Sequence, residues 1–152
     1  MSKNITVTGA TGNIGQLVVP ALLEGGAEVT ALVRDPKKVE ALKEKGVKVV
    51  AGEYTDVEAV KQAFAGADAI LLIAPANPDA AKQMSALITA AKNSGNPHVV
   101  RMSALKAAAD APTDNGKLHH QSDTELMESG LPYTILRPHF FMQNLWMSIS
   151  TI

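Results

Sequence analysis

Six short apolar segments recur along the chain, at Asn4–Thr8, Glu28–Val33, Val47–Ala51, Ala69–Ala74, His98–Ser103 and Tyr133–Leu136. They are rich in Val and Ile and apolar on both faces, as in parallel strands covered on both sides by helices. The stretches between them carry helix punctuation. Asp35-Pro36 and Asn77-Pro78 each set an N-cap residue before a proline suited to the first helical position, and Asp56 can cap the helix that follows it. Gly25-Gly26, Gly46, Gly66, Gly95 and Gly130 stand where helices would close, each just before the next strand. Met84, Leu87, Ile88 and Ala91 fall on one face of a helix between Pro78 and Asn93. The small, polar, Pro-containing stretch Ala107–Gly116 reads as a loop. Strands alternating with helical crossovers predict a doubly wound α/β fold with a mostly parallel sheet in the order 3-2-1-4-5-6. Its ligand crevice should lie beside the first strand, where the order reverses.

The first strand-to-helix turn reads VTGATGNIG, with Gly9, Gly12 and Gly15 three apart. In a Rossmann-type fold that turn faces a pyrophosphate with its N–H groups and the positive end of a helix. Gly9 allows the sharp turn, Gly12 lets phosphate approach without a Cβ in the way, and Gly15 lets the helix lie close to the strand. Thr11, Asn13 and Ile14 would add N–H groups. An acid at the end of the second strand would select NAD, but this strand runs into Arg34, followed by Lys37 and Lys38. A guanidinium there suits a 2′-phosphate, which favours NADP(H) over NAD(H). Asp35, directly before Pro36, is explained as a helix cap.

Length and composition fit this picture and narrow it. A chain of 152 residues, 46% hydrophobic and 19% charged, matches one globular domain. A net charge of -1 gives no broad surface for nucleic acid or membrane. The absence of cysteine excludes disulfides, Fe–S clusters, thiolate zinc sites and a cysteine nucleophile. The longest apolar run, Ala67 to Ala76, is interrupted by Asp68 and too short for a bilayer. The strand pattern begins at Ile5, so no leader is expected before it. The expectation is a soluble, cytoplasmic protein.

Taken together, TVTGATGNIG, VTALVRDPKK, GEYTD, LLIAPA and SGLPYTILRPHFFMQN resemble the NmrA-like branch of the atypical short-chain dehydrogenase/reductases. That branch includes NAD(P)H-dependent quinone and azo-dye reductases, and the resemblance covers essentially the whole chain. It implies further cofactor contacts. Glu53 and Tyr54 stand where relatives carry a Gly-Asp pair near the adenine, Glu53 being a departure. Ala74 and Pro75 should run past the middle of the cofactor, and Ser103 should stand near the nicotinamide. Pro138 to Phe141 should border the nicotinamide amide and the substrate, with Phe140 and Phe141 as substrate contacts.

The Tyr-x-x-x-Lys proton-donating pair of typical short-chain dehydrogenases is missing. Of the two tyrosines, Tyr54 follows the third strand and Tyr133 opens the sixth. Counting back from Glu125 puts Lys117 and Gln121 at the pair's positions. His119 or His120 could donate a proton instead, and adjacent helical residues cannot both face one pocket. His119 and Ser103 are the catalytic candidates. Adjacent histidines chelate a single ion poorly and no third ligand is evident, so no metal site is expected. A carbonyl taking hydride without a proton donor would form a costly alkoxide, whereas a quinone, or an azo compound in its quinone-like tautomer, spreads the charge.

The resemblance further implies that family members continue into a seventh strand and a substrate-capping region. Residues 1–152 would thus be an NAD(P)-binding domain without the C-terminal substrate-binding region. Phe141, Leu145 and Trp146 would then mark a surface left open or covered by a second subunit, as in a homodimer. Two functions follow as expectations. One is hydride transfer from NADPH to a quinone or azo acceptor. The other is a non-catalytic NADP(H) redox sensor acting on a regulated protein partner.

Overall fold

A computed structural model describes residues 2–35, 39–73, 77–139 and 141–142. Strands β1 (Asn4–Thr8), β2 (Glu28–Val33), β3 (Lys48–Ala51), β4 (Ala69–Ile73), β5 (His98–Met102) and β6 (Tyr133–Leu136) alternate with helices α1 (Gly15–Glu24), α2 (Val39–Lys43), α3 (Val57–Phe64), α4 (Ala80–Lys92) and α5 (Asp114–Glu128). The sheet has six strands in the order β3-β2-β1-β4-β5-β6, and every pair is parallel. This is the doubly wound topology that the hydrophobic pattern predicts. Parallel neighbours joined by helical crossovers bring every strand-to-helix loop to one edge of the sheet.

The two faces carry separate cores. Val7, Val19, Val29, Ala31, Val33 and Leu42 pack together on the side of α1 and α2. Phe64, Ile70, Leu72, Met84, Leu87, Ile88, Val99 and Leu126 form the larger core on the side of α3, α4 and α5. Met84, Leu87, Ile88 and Ala91 are all buried, so the apolar stripe read from their spacing is the face α4 turns to the sheet. The glycines expected to close helices adopt positive φ at Gly26, Gly46, Gly66, Gly95 and Gly130, a region in which a Cβ is disfavoured. Pro20 lies inside α1.

Three expectations are corrected. Asn77 is not the N-cap of α4, which starts at Ala80 with Asp79 in the cap position. The Ala80 N–H donates to the Asn77 carbonyl at 3.1 Å, so 77–79 form a separate turn and the Asn77 amide points to Gln83 instead. The loop before α5 ends earlier than Gly116, because Thr113 caps the helix by accepting from the Gly116 N–H at 3.1 Å. And β6 is not covered on both faces. It ends the sheet, with Tyr133 and Leu136 exposed. The expected cap pair Asp35-Pro36 includes Pro36, which lies outside the described residues, as does most of the apolar stretch from Phe140 onward.

Asp56 does cap α3, accepting from the Glu58 and Ala59 N–H groups at 3.1 Å each. Asp56→Ala should cost about 1 kcal/mol of unfolding free energy, read by urea titration, and Asp56→Asn clearly less.

Candidate functional site

The loops after β1, β2, β3, β5 and β6 meet at the carboxyl-terminal edge of the sheet. Gly9 turns the chain out of β1 with φ +67. An added Cβ there would press on Ile73 Cβ at 3.1 Å. Thr8, just before it, accepts from the Ile73 N–H at 2.9 Å through its hydroxyl, which extends the contact between β1 and β4 past their last paired residues. A Cβ on Gly15 would collide with the Gly9 carbonyl and the Ala10 backbone, so α1 can lie this close to β1 only without one. At Gly12 an added Cβ would meet the Gly9 carbonyl oxygen at 3.3 Å, and beyond its chain neighbours no other atom of the described residues lies within 4 Å.

The turn uses one N–H on itself, Gly12 to the Gly9 carbonyl at 3.0 Å. Among the described residues, the N–H groups of Thr11, Asn13 and Ile14 donate to no protein acceptor. Ile14 occupies the N-cap of α1 without a capping side chain, and the first turn holds no acid. These are the three residues expected to offer N–H groups to phosphate.

Tyr54 has a part that the sequence did not suggest. Its side chain is 3% exposed, and its hydroxyl accepts from the Gly9 N–H at 2.9 Å. The Arg34 guanidinium lies over its ring, 5.2 Å from the centroid, a cation–π contact that holds a long side chain in place. Burial first of all pushes the Tyr54 hydroxyl above its ordinary pKa, with Glu53 adding to it, while Arg34 and the Gly9 N–H pull it down. It therefore stays a neutral phenol. Loop ends from β1, β2 and β3 are joined in this way into one rigid group. Arg34 and Glu53 are exposed at this edge. Lys38, Ala74 and Pro75 lie outside the described residues.

At the other end of the edge lies a buried ionic cluster. Asp123 of α5 is 0% exposed and Arg101 of β5 is 1% exposed. Asp123 Oδ1 accepts from Arg101 Nε at 2.9 Å, and its Oδ2 accepts from the Ser103 hydroxyl at 2.8 Å and from Arg137 Nε and Nη2 at 3.1 and 3.0 Å. Burial pulls the Arg101 pKa down, and Asp123 acts against that. Ser103 is 4% exposed and gives its only proton to Asp123.

His119 is half-buried on the same side of α5, its Nδ1 3.3 Å from Arg101 Nη2. A guanidinium can only donate, so Nδ1 accepts and the ring proton sits on Nε2. Burial, and then the Arg101 charge, holds the imidazole below its ordinary pKa against the pull of Asp123. His120 is half-buried, whereas Lys117 and Gln121 are exposed. Pro138 is half-buried and its carbonyl accepts from the Leu105 N–H at 2.9 Å. Phe141 is 41% exposed, and Phe140, Leu145 and Trp146 lie outside the described residues.

Among the described residues no three His, Asp or Glu side chains converge on a point that could hold a metal. No helix among them is long and apolar enough to cross a membrane. A recess of about 380 Å³ lined by Asn4, Thr6, Glu28 and Lys48 sits at the opposite, amino-terminal edge, away from every group named above.

A parallel sheet in this order, with an uncapped helix and a row of open N–H groups at its switch point, defines a dinucleotide-binding domain. The chain belongs to the NAD(P)H-binding family, whose model matches residues 9–145. It is 38% identical over 148 residues to an NAD(P)H azoreductase of Xenophilus azovorans, covering 97% of this chain and 52% of that protein. Against quinone oxidoreductase 2 of Escherichia coli (strain K12) the identity is 32%, over 92% of this chain and 50% of the relative. The crystal structure of an NADPH-dependent quinone oxidoreductase of Escherichia coli in complex with NADPH superposes with a TM-score of 0.88 at 31% identity, covering 97% of this chain and 53% of the other. The chain thus spans about half the length of the curated relatives it matches.

Gly12→Val should leave a folded chain that no longer binds cofactor, because the new side chain fills the cradle. Gly15→Ala should instead lower stability by about 1–3 kcal/mol, since the helix must move off the strand. Denaturant melts and cofactor titrations of the two variants separate these effects.

His119 sets a pH dependence. Below its ordinary pKa of 6.5 the unfolded chain takes up a proton there that the folded chain does not. Stability is therefore lost as the pH falls from 6.5 towards the folded value, and above 6.5 the effect vanishes. In His119→Gln the fall in unfolding free energy over that interval should flatten, which urea titrations at stepped pH would show.

Proposed function

We propose that this chain binds NADP(H) along the carboxyl-terminal edge of its sheet and serves a reductase of quinone or azo-type acceptors. The observation that carries the reading is the row of open N–H groups at Thr11, Asn13 and Ile14, at the positive end of α1 and beside Gly12, which has no Cβ. A pyrophosphate satisfies such donors, and no side chain of the turn does so in its place. Arg34, set over Tyr54 at the end of the next strand, is suited to a 2′-phosphate and supports NADP(H) over NAD(H). Bound there, the reduced cofactor supplies a hydride.

The state of Ser103, Lys117 and Gln121 supports one class of acceptor. The Ser103 proton is taken by Asp123, and Lys117 and Gln121 are exposed to solvent. Such a site suits an acceptor that spreads incoming charge and takes its proton from water. The azoreductase and the quinone oxidoreductase among the relatives support the same class of small-molecule acceptor. The engaged serine also favours a second reading, in which the domain senses NADP(H) and acts on a protein partner without turnover.

A thermal scan tests the cofactor. Ligand at 100 times its dissociation constant adds about 2.7 kcal/mol, roughly 5–11 °C for a chain of this size. The rise should come with NADPH and be much smaller with NADH, and Arg34→Ala should remove the difference between them. No rise with either nucleotide would defeat the reading. NADPH oxidation that depends on added quinone separates the reductase from the sensor.

A further inference from the structure

The cluster around Asp123 is unbalanced in charge. One carboxylate faces two guanidiniums, so a positive charge is left over. Arg101 is buried and engages Asp123 through Nε, the Met102 carbonyl through Nη1, and His119 through Nη2. Arg137 differs. Its side chain is 44% exposed, and it reaches Asp123 side-on through Nε and Nη2. Its Nη1 donates to nothing among the described residues. The surplus charge therefore comes to the surface at Arg137, on a guanidinium whose plane is already fixed by a buried carboxylate.

We propose that Arg137 is an anion-recognition point for the acceptor, so that the site takes acceptors bearing a sulfonate or carboxylate in preference to neutral ones. This rests on the reading of the carboxyl-terminal edge as the cofactor edge. Pairing beyond the strands, from the Ser103 N–H to the Leu136 carbonyl at 2.8 Å and from the Leu105 N–H to the Pro138 carbonyl at 2.9 Å, holds Arg137 beside residues 103–105 on that edge. Between β6 and β1 stand β5 and β4, which puts Arg137 roughly 14 Å from the glycine turn at the usual strand spacing. It cannot share the phosphates held there, and Arg34 lies farther off still, on β2. The anion that meets Arg137 is a separate one. The chain as a whole carries a net charge of -1 and draws no anion by its overall field. A guanidinium with a free N–H pair and a fixed plane recognises a planar or tetrahedral oxyanion at low entropic cost.

The test is equilibrium dialysis of the wild-type chain, saturated with NADP⁺, against anthraquinone-2-sulfonate and the neutral 2-(hydroxymethyl)anthraquinone. The sulfonate should bind about tenfold tighter, the measure of one charge-assisted contact, and the preference should shrink as salt is raised. Arg137→Gln should bind both alike, Arg137→Lys should keep part of the preference, and Lys106→Gln and Lys117→Gln should keep all of it. Equal binding by the wild type, or a preference that survives Arg137→Gln, overturns the proposal. Should Arg137→Gln fold poorly, Arg137→Lys decides the question, since it must lose part of the preference while Lys106→Gln and Lys117→Gln lose none. A thermal rise with NADPH but no sulfonate preference sinks this inference alone; no rise with NADPH sinks the cofactor reading and with it the assignment of Arg137 to the acceptor.

Discussion

Gly15 rests against the Gly9 carbonyl with no room for a side chain between them, and the geometry of the functional edge is built outward from that approach. Because α1 starts so close to β1, its first N–H groups open directly over the switch point of the sheet. Gly9 must then turn sharply, and its own N–H would be left unpaired under the turn without the Tyr54 hydroxyl. That hydroxyl fixes the ring, and the ring fixes Arg34. A single short contact between two backbones thus sets the positions of a donor row and of a cation one strand away. The donors are arranged before any ligand arrives, which lowers the cost of binding one.

The far end of the edge follows a different logic. A fully buried carboxylate is costly unless its lone pairs are filled. Asp123 fills them with four donors from β5, the following loop and the end of β6. The cluster pins α5 to the last two strands, where β6 buries little apolar surface of its own. The same bonds deprive Ser103 of a free proton and leave Arg137 charged at the surface. Structural and chemical consequences come from one side chain and cannot be altered separately.

The sheet order, the buried stripe of α4 and the roles of Gly9 and Gly15 are legible in the sequence because each rests on local pattern: periodicity, capping chemistry or a residue without a Cβ. The start of α4 is not, because the carbonyl of Asn77 and not its side chain closes the turn before the helix. The pairing of Arg101 with Asp123 is hidden because it spans β5 and α5. Its signal is present all the same. Arg101 is a charge inside a largely apolar strand, and Asp123 falls on the stripe of α5 that also buries Gly116 and Leu126. A charge on each of two buried faces asks for the other as its partner. The bond between Tyr54 and Gly9 is equally hidden, since nothing local shows that the Gly9 N–H needs an acceptor from another loop.

Pro20 lies in the middle of α1 and has no N–H to give to the Gln16 carbonyl. The opening turn is therefore tied to the remainder of the helix by fewer hydrogen bonds than the closing turns are to each other. Exchange of the amide protons in that turn is governed more by its own few bonds and by the contact of Gly15 with Gly9 than by the rest of the helix. An anion engaging the first N–H groups would add bonds to that turn alone, while the rest of α1 is held by its packing against the sheet. Occupancy of the cradle is then written into the exchange rate of a single helical turn.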